Sequence, residues 1–461
     1  MTKAVRVALA LILFLCPVPA WAHALLKRSD PAAGSRVATS PQLIRLWFSE
    51  QPELPMTFIS LKDANGREFL LAVPQKDPAD PLALSVRVSQ SLPAGRYTVA
   101  WRTAASDGHP SHGTFGFVVL GEAQLPARTS AQIGAVTDTN GAGSATPAPT
   151  ASGNNVEEAD AASSVSNSLA RALSFVGLLA LIGVIAFRAL VLPRAMGISP
   201  EMGARMEGRA AVLGIATSMV VIISAFARLF LESQMMSAMP GMQTMSMPDM
   251  AMHTQWGFAL RLELGAAFVA LVSFVLAALR LRGAWLLAGI STIVLAVTPA
   301  LAGHAAASPR FTSLMISADF LHVLGGASWL GNLLCIMLIG VPIALTLDGP
   351  GRWEAVASLV NAFSPVALAS AAVVGASGVV ASWVHLEHFA ALWRTAYGQV
   401  LLLKLALVAT TVIIGAYNFR RVQPQLVQQE GTARLQRSTA IELSVGLLIL
   451  LVTGFLTGIS P

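Results

Sequence analysis

Two hydrophobic rhythms divide the chain. From His23 to about Leu120, short runs alternate apolar and polar residues, as in Leu43-Ile44-Arg45-Leu46-Trp47-Phe48 and Tyr97-Thr98-Val99-Ala100-Trp101-Arg102. A period of two puts every second side chain on one face of a strand. Turn-forming groups, Asp63-Ala64-Asn65-Gly66 and Pro93-Ala94-Gly95, separate the runs, and about 100 residues of this kind predict an antiparallel β-sandwich. Further along, alternation gives way to continuous apolar stretches. Eight are long enough to cross a bilayer: roughly 167–192, 209–232, 256–280, 284–303, 311–340, 365–384, 397–418 and 438–459, since about 20 apolar residues span the hydrocarbon. The prediction is an all-β N-terminal sandwich followed by an all-α polytopic bundle of about eight transmembrane helices.

The segments between these blocks have their own character. Residues 122–165 are Ala, Gly, Ser, Thr, Pro and Asn with almost no large apolar side chain, a composition that cannot bury enough surface to fold and reads as a flexible linker. At the start, Lys3 and Arg6 precede the apolar run Ala8 to Cys16, and Ala20-Trp21-Ala22 offers small residues around a cleavage point. This is the pattern of an export signal, residues 1–22, removed to leave His23 first. The expected organisation is therefore signal 1–22, sandwich 23–121, linker 122–165 and membrane portion 166–461.

Composition agrees with a lipid bilayer as the main environment. Hydrophobic residues make up 54% and charged residues 12% of the 461, about half the charged share of a soluble protein. The net charge of +6 does not gather into a basic run, so nucleic acid is not an expected partner. Instead Arg194, Arg205, Arg209, Arg280, Arg282, Arg352, Arg420, Arg421, Arg434 and Arg437 fall in connections on one side of the spans, while Arg310 and Arg394 fall on the other. The positive-inside rule places the first group in the cytoplasm, hence the sandwich in the periplasm of an inner-membrane protein. Two cysteines, Cys16 and Cys335, exclude a disulfide framework.

Cleavage before His23 would free an α-amine beside an imidazole. Asp107-Gly108-His109 lies just ahead of the strand-like run Thr114 to Leu120, with side chains two apart on one face. An amine, two imidazoles and a carboxylate form a tetragonal nitrogen and oxygen set suited to Cu(II). At these residues the sequence resembles the CopC family of periplasmic copper-binding proteins, through His23-Ala24-Leu25-Leu26, Ser29-Asp30-Pro31-Ala32-Ala33-Gly34-Ser35 and Ser106-Asp107-Gly108-His109-Pro110. The resemblance implies a Greek-key, cupredoxin/Ig-like sandwich with His23, Asp107 and His109 as Cu(II) ligands. The domain carries a single methionine, Met56, so Cu(II) alone is expected there. His112 has no assigned place in that pattern and reads as a solvated turn histidine or, in the alternative, an auxiliary ligand.

Chemistry also collects in the membrane portion. The connection between the second and third spans holds Met235, Met236, Met239, Met242, Met245, Met247, Met250 and Met252, half of the protein's 16 methionines, with His253 next. Soft thioethers favour Cu(I). Arg228, Glu232, Arg261, Glu263, His304, Asp319, His322 and Lys404 fall near the outer half of the spans, where ionisable groups are costly, and together predict an outward polar vestibule. Asp319 and His322 share a helix face near mid-membrane. His385 and His388 stand at an outer helix end.

This half resembles the CopD family of copper-resistance membrane proteins, through Gly303-His304, Asp319-Phe320-Leu321-His322, Trp329-Leu330-Gly331, Tyr397-Gly398-Gln399, Leu403-Lys404 and Asn418. The two resemblances in one chain imply a copper-handling membrane protein rather than an enzyme, with copper moving inward. The expected metal path is Met239, Met242, Met245, Met247, Met250, His253, His304, Asp319, His322, His385 and His388. No G-x-x-x-x-G-K-[ST] motif occurs, so the chain does not itself couple ATP. Periplasmic copper chaperones and a reductase are the partners that such a route would use. The alternatives are a haem- or copper-dependent membrane redox protein, a copper-activating oxidase, or a copper buffer or sensor without transport.

Overall fold

The computed structural model describes residues 26–105, 110–120, 154–237, 247–303, 305, 311–385 and 389–458. It comprises two compact units, one of strands and one of helices.

Among the described residues, the strand unit has nine strands: β1 (Leu26–Asp30), β2 (Arg36–Val37), β3 (Leu43–Phe48), β4 (Phe58–Asp63), β5 (Glu68–Phe69), β6 (Gln75–Asp77), β7 (Asp80–Arg87), β8 (Gly95–Ala104) and β9 (Pro110–Val119). They form a four-stranded sheet in the order β1-β3-β7-β6 and a five-stranded sheet in the order β2-β9-β8-β4-β5. β1 with β3, β3 with β7, β7 with β6, and β4 with β5 and β8 pair antiparallel, while β2 runs parallel to β9. The predicted alternation is realised: Ile44, Leu46 and Phe48 of β3, Leu84 and Val86 of β7, and Tyr97, Val99 and Trp101 of β8 point inward and are buried.

Aromatic rings fill the interior of this unit. Phe48 meets Trp101 edge-on at 5.2 Å between centroids, and Tyr97 stacks on Phe117 at 5.6 Å. The Tyr97 hydroxyl donates to the Pro93 carbonyl at 2.8 Å, so the buried phenol keeps a partner. Burial first, then the charge of Asp63, raise its pKa above the ordinary tyrosine value, so it stays a donor across physiological pH. The turn at Asp63 to Gly66 closes the β4–β5 hairpin as predicted: Gly66 takes a φ of 81°, and Asp63 Oδ1 accepts from the amides of Asn65 and Arg67. His112 lies exposed on β9 rather than in a turn, because the strand begins four residues earlier than the alternating run beginning at Thr114 indicated.

Among the described residues, eight helices are long and apolar enough to cross a membrane: Val165–Arg194, Pro200–Gln234, Gln255–Ala278, Ala284–Ala302, Thr312–Ala344, Gly351–Val384, Ala396–Gln425 and Gln429–Leu456. They are called the first to eighth spans here. The chain reverses direction at each connection, so the ends at Val165, Gln234, Gln255, Ala302, Thr312, Val384, Ala396 and Leu456 lie on one side, the methionine side. The other ends lie on the side where the arginines concentrate.

Several helices outrun their apolar stretches. The second begins at Pro200 rather than 209, the sixth at Gly351 rather than 365, and the eighth at Gln429 rather than 438. Hydropathy marks the part that meets hydrocarbon, whereas a helix continues into polar turns, as with Arg352 and Glu354, until a turn residue ends it. The helix of the first span begins at Asn154, inside the segment read as linker.

Among the described residues, three spans carry four π turns, at Phe187–Val191, Ala327–Gly331, Ile336–Gly340 and Asn418–Val422. Two of these are in the fifth span. Its core packing joins the first, second, third, fourth and sixth spans through Leu181, Met206, Phe274, Leu295, Ile336 and Leu359.

Candidate functional site

Asp319 and His322 sit one turn apart on the fifth span. His322 is ten residues beyond Thr312, about 15 Å along the helix and so near the middle of a hydrocarbon layer about 30 Å thick. The sixth span meets it there: His322 Nδ1 lies 3.1 Å from Ser377 Oγ, while Ser377 also donates to the Val373 carbonyl at 2.7 Å. Because that hydroxyl is already a donor to its own helix, it is placed to accept from an Nδ1–H, leaving Nε2 the free lone pair. Gly378 follows Ser377, and a Cβ there would stand 3.6 Å from the imidazole Cε1, so the glycine leaves the ring room against the helix.

A cavity of about 130 Å³ opens beside this imidazole. His322 and Lys404 supply polar groups to its wall, with Thr411 and Trp329 further along and Leu178 and Leu330 among the apolar lining. The charge of Asp319 acts on Lys404 and on Tyr397, and that of Lys404 acts on His322. Asp319, His322, Ser377, Tyr397 and Lys404 thus form one electrostatic group drawn from the fifth, sixth and seventh spans. The cation in the field of Asp319 is Lys404. Arg261 is committed elsewhere: it donates to the Ala251 carbonyl and lies 3.8 Å from the Met252 sulfur.

The remaining intramembrane charges gather in a second group. Arg228 pairs with Glu263, which also accepts from Ser174 Oγ at 3.0 Å, and Asn167 donates to Glu232. These ties join the first, second and third spans, so the ionisable residues read as one vestibule divide into two sets with different partners. Buried charges require such partners.

Sequence reasoning missed two functional neighbours. Ser377 carries no charge and lies 55 residues from His322, so only the fold brings it there. Glu442 of the eighth span is 3% exposed and accepts from Trp329 Nε1 and Asn418 Nδ2, each at 3.2 Å. A lone carboxylate within an apolar stretch was its available signal.

Other expected ligands are placed as follows. Met247, Met250 and His253 lie on the short helix Met247–His253. Met250 is fully buried, and Thr254 Oγ1 donates to its carbonyl at 2.7 Å. His385 ends the sixth helix. His23, Asp107, His109, Met239, Met242, Met245, His304 and His388 lie outside the described residues. Among the described residues, no three His, Cys, Asp or Glu side chains come together as a metal-ion cluster.

Comparison with known proteins matches three family models along the chain: the CopC domain over residues 26–120, the copper resistance protein D-like N-terminal domain over 162–310, and copper resistance protein D over 357–456. The copper transport protein CutJ of Bacillus subtilis is 24% identical over 462 residues, an alignment covering 98% of this chain and 77% of that protein. Copper resistance protein C of Escherichia coli is 36% identical over 106 residues, covering 22% of this chain and 83% of that protein. The crystal structure of CopC from Methylosinus trichosporium OB3b is 30% identical, covering 23% of this chain and all of that one, with a TM-score of 0.21. The chain therefore belongs to the CopC and CopD copper-resistance families, with a CopC domain ahead of a multi-pass CopD portion.

Proposed function

We propose that this protein captures copper as Cu(II) outside the cytoplasmic membrane and passes it inward through its helical bundle, serving copper homeostasis and resistance. In this reading the signal 1–22 is removed, the sandwich 23–121 lies in the periplasm with His23, Asp107 and His109 as the Cu(II) ligands, residues 122–165 tether it, and residues 166–461 form the membrane pathway. The arginine side faces the cytoplasm. Copper leaving nitrogen and oxygen ligands is reduced by one electron from a partner reductase before the thioethers of Met239, Met242, Met245 and Met247 accept it as Cu(I).

The observation that carries the reading is His322, an imidazole near mid-membrane on the wall of a cavity of about 130 Å³. A polar, ionisable side chain at that depth is costly to insert, so its retention points to use. Ser377 accepting from Nδ1 would hold Nε2 free for a metal, and Asp319 with Lys404 would tune the local field. The relationship to CutJ, named a copper transport protein, supports transport over buffering.

The test is copper flux into sealed vesicles of known orientation, comparing intact protein with His322→Ala, Asp319→Asn and the double variant at equal membrane levels. Loss of flux in His322→Ala, with the double variant no worse, is expected of one functional unit. Wild-type flux in His322→Ala would remove this site from the pathway.

A further inference from the structure

Beyond the cavity, toward the arginine side, lies a buried acid that the copper path does not use. Trp329 is seven residues past His322, about 10 Å further along the fifth span, and Asn418 is fourteen residues past Lys404, about 21 Å further along the seventh. Both converge on Glu442: the indole N–H donates to Oε1 and the Asn418 amide to Oε2, each at 3.2 Å. A Cβ at Gly415 would stand 3.7 Å from Oε1 and 3.9 Å from the indole, so the glycine opens the seventh span to the carboxylate. Trp329 also lines the cavity and so forms the wall between it and the acid.

Three features set this carboxylate apart from the structural pair Arg228–Glu263. No described ion pair ties Glu442 to a cation. Asn418 Oδ1 is buried without a hydrogen-bond partner among the described residues. Both donors sit in π turns, Trp329 within Ala327–Gly331 and Asn418 at the start of Asn418–Val422, and single π turns inside helices recur at functional sites. The other ionisable groups of the packed elements are Glu430, Arg434 and Arg437 on the eighth span, Tyr397, Lys404, Tyr417, Arg420 and Arg421 on the seventh, and Asp319, His322 and Cys335 on the fifth. The sixth span has none between Glu354 and His385.

The geometry points to Glu442 as a proton-exchange site at the arginine-side end of the cavity, with the Asn418 amide as its two-position partner. With the carboxylate charged, the amide N–H₂ donates to it, as observed. On protonation the acid becomes a donor, and turning the amide over presents Oδ1 to accept that proton, which gives the orphaned oxygen its partner. The proton comes from water on the arginine side and returns there. First neighbours that are N–H donors on both oxygens disfavour a metal ion, which needs acceptors, but suit a proton. Such exchange would offset the charge of a cation crossing the bundle, a role that rests on the copper path proposed above.

The test is infrared difference spectroscopy of the full-length protein in liposomes, between acid and alkaline buffers spanning about pH 5 to 9, with copper flux measured on the same vesicles. A carbonyl band from a protonated carboxyl should appear on acidification and vanish in Glu442→Gln, which keeps shape and melting temperature. Trp329→Phe, losing one donor, should displace the midpoint by about one pH unit. No titrating band, or one that persists in Glu442→Gln, overturns the proposal. A titrating Glu442 alongside His322-independent flux would overturn the copper path and leave the proton site standing.

Discussion

Replacing Gly331 with alanine tests how tightly the first and fifth spans hold the cavity wall. A Cβ on Gly331 would stand 2.5 Å from the Leu179 carbonyl oxygen and 2.6 Å from Gly183 Cα, whereas ordinary contact begins at 3.4 Å. The obstructing atoms are helix backbone and cannot rotate away, so the two spans must part by about 1 Å. Overpacking of this kind costs about 1–3 kcal/mol, and a rigid neighbour puts the cost near the upper end. Alanine recovers up to about 1 kcal/mol of helix propensity, leaving a net loss of about 1–2 kcal/mol. At roughly 2–4 °C per kcal/mol, the melting temperature of the detergent-solubilised protein should fall by several degrees.

The control is Gly326→Ala, one turn earlier on the same span, where a Cβ would meet nothing within 4 Å. It should melt at or above the wild-type temperature. Trp329 lies two residues before Gly331, so separation of the spans also shifts the indole between the cavity and Glu442, and copper flux should fall in Gly331→Ala at matched membrane levels. Equal melting of the two variants would refute the close backbone approach and the packing argument with it.

Three further outcomes follow from the same physical picture. Arg228→Met should cost about 3–5 kcal/mol because it strands the buried Glu263 carboxylate, and adding Glu263→Gln should restore much of it; a double variant melting no higher than the single would contradict the pairing. The isolated portion 23–121 should bind one Cu(II), and any residue added before His23 should weaken that binding sharply in competition titration, because the amine becomes an amide. Changing Met239, Met242, Met245 and Met247 to leucine keeps bulk but removes sulfur lone pairs, so flux at limiting Cu(I) should fall while flux at saturation changes little; equal flux at limiting copper would make the loop surface filler.

What could be read from the sequence follows the range of the forces involved. Strand alternation and apolar length are local, so Ile44, Leu46 and Phe48 face inward as their spacing requires, and eight apolar stretches become eight spans. His322 was visible because an imidazole in an apolar stretch is conspicuous by itself. Pairing is another matter: Glu263 could have faced Arg261, two residues away, yet meets Arg228, 35 residues away, because residues two apart on a helix point to different faces. The same limit hid Ser377 and the approach of Gly183 to Gly331, both made of neutral residues whose roles exist only once helices meet.

Glu442 shows where a charge in the sequence becomes informative only with its neighbours. The residue follows the cluster Arg434 and Arg437, so in one dimension it reads as the polar end of a span whose apolar stretch has just begun. In three dimensions its carboxylate is 3% exposed, and its two donors are neutral, while Arg434 turns away to Glu430 and Gln425. An acid that meant only to end a helix at the membrane surface would take the nearby guanidinium. The packing of the fifth and seventh spans instead gives it an indole and an amide, partners that stabilise the anion without fixing its charge, and that difference separates a site able to change protonation from a structural ion pair.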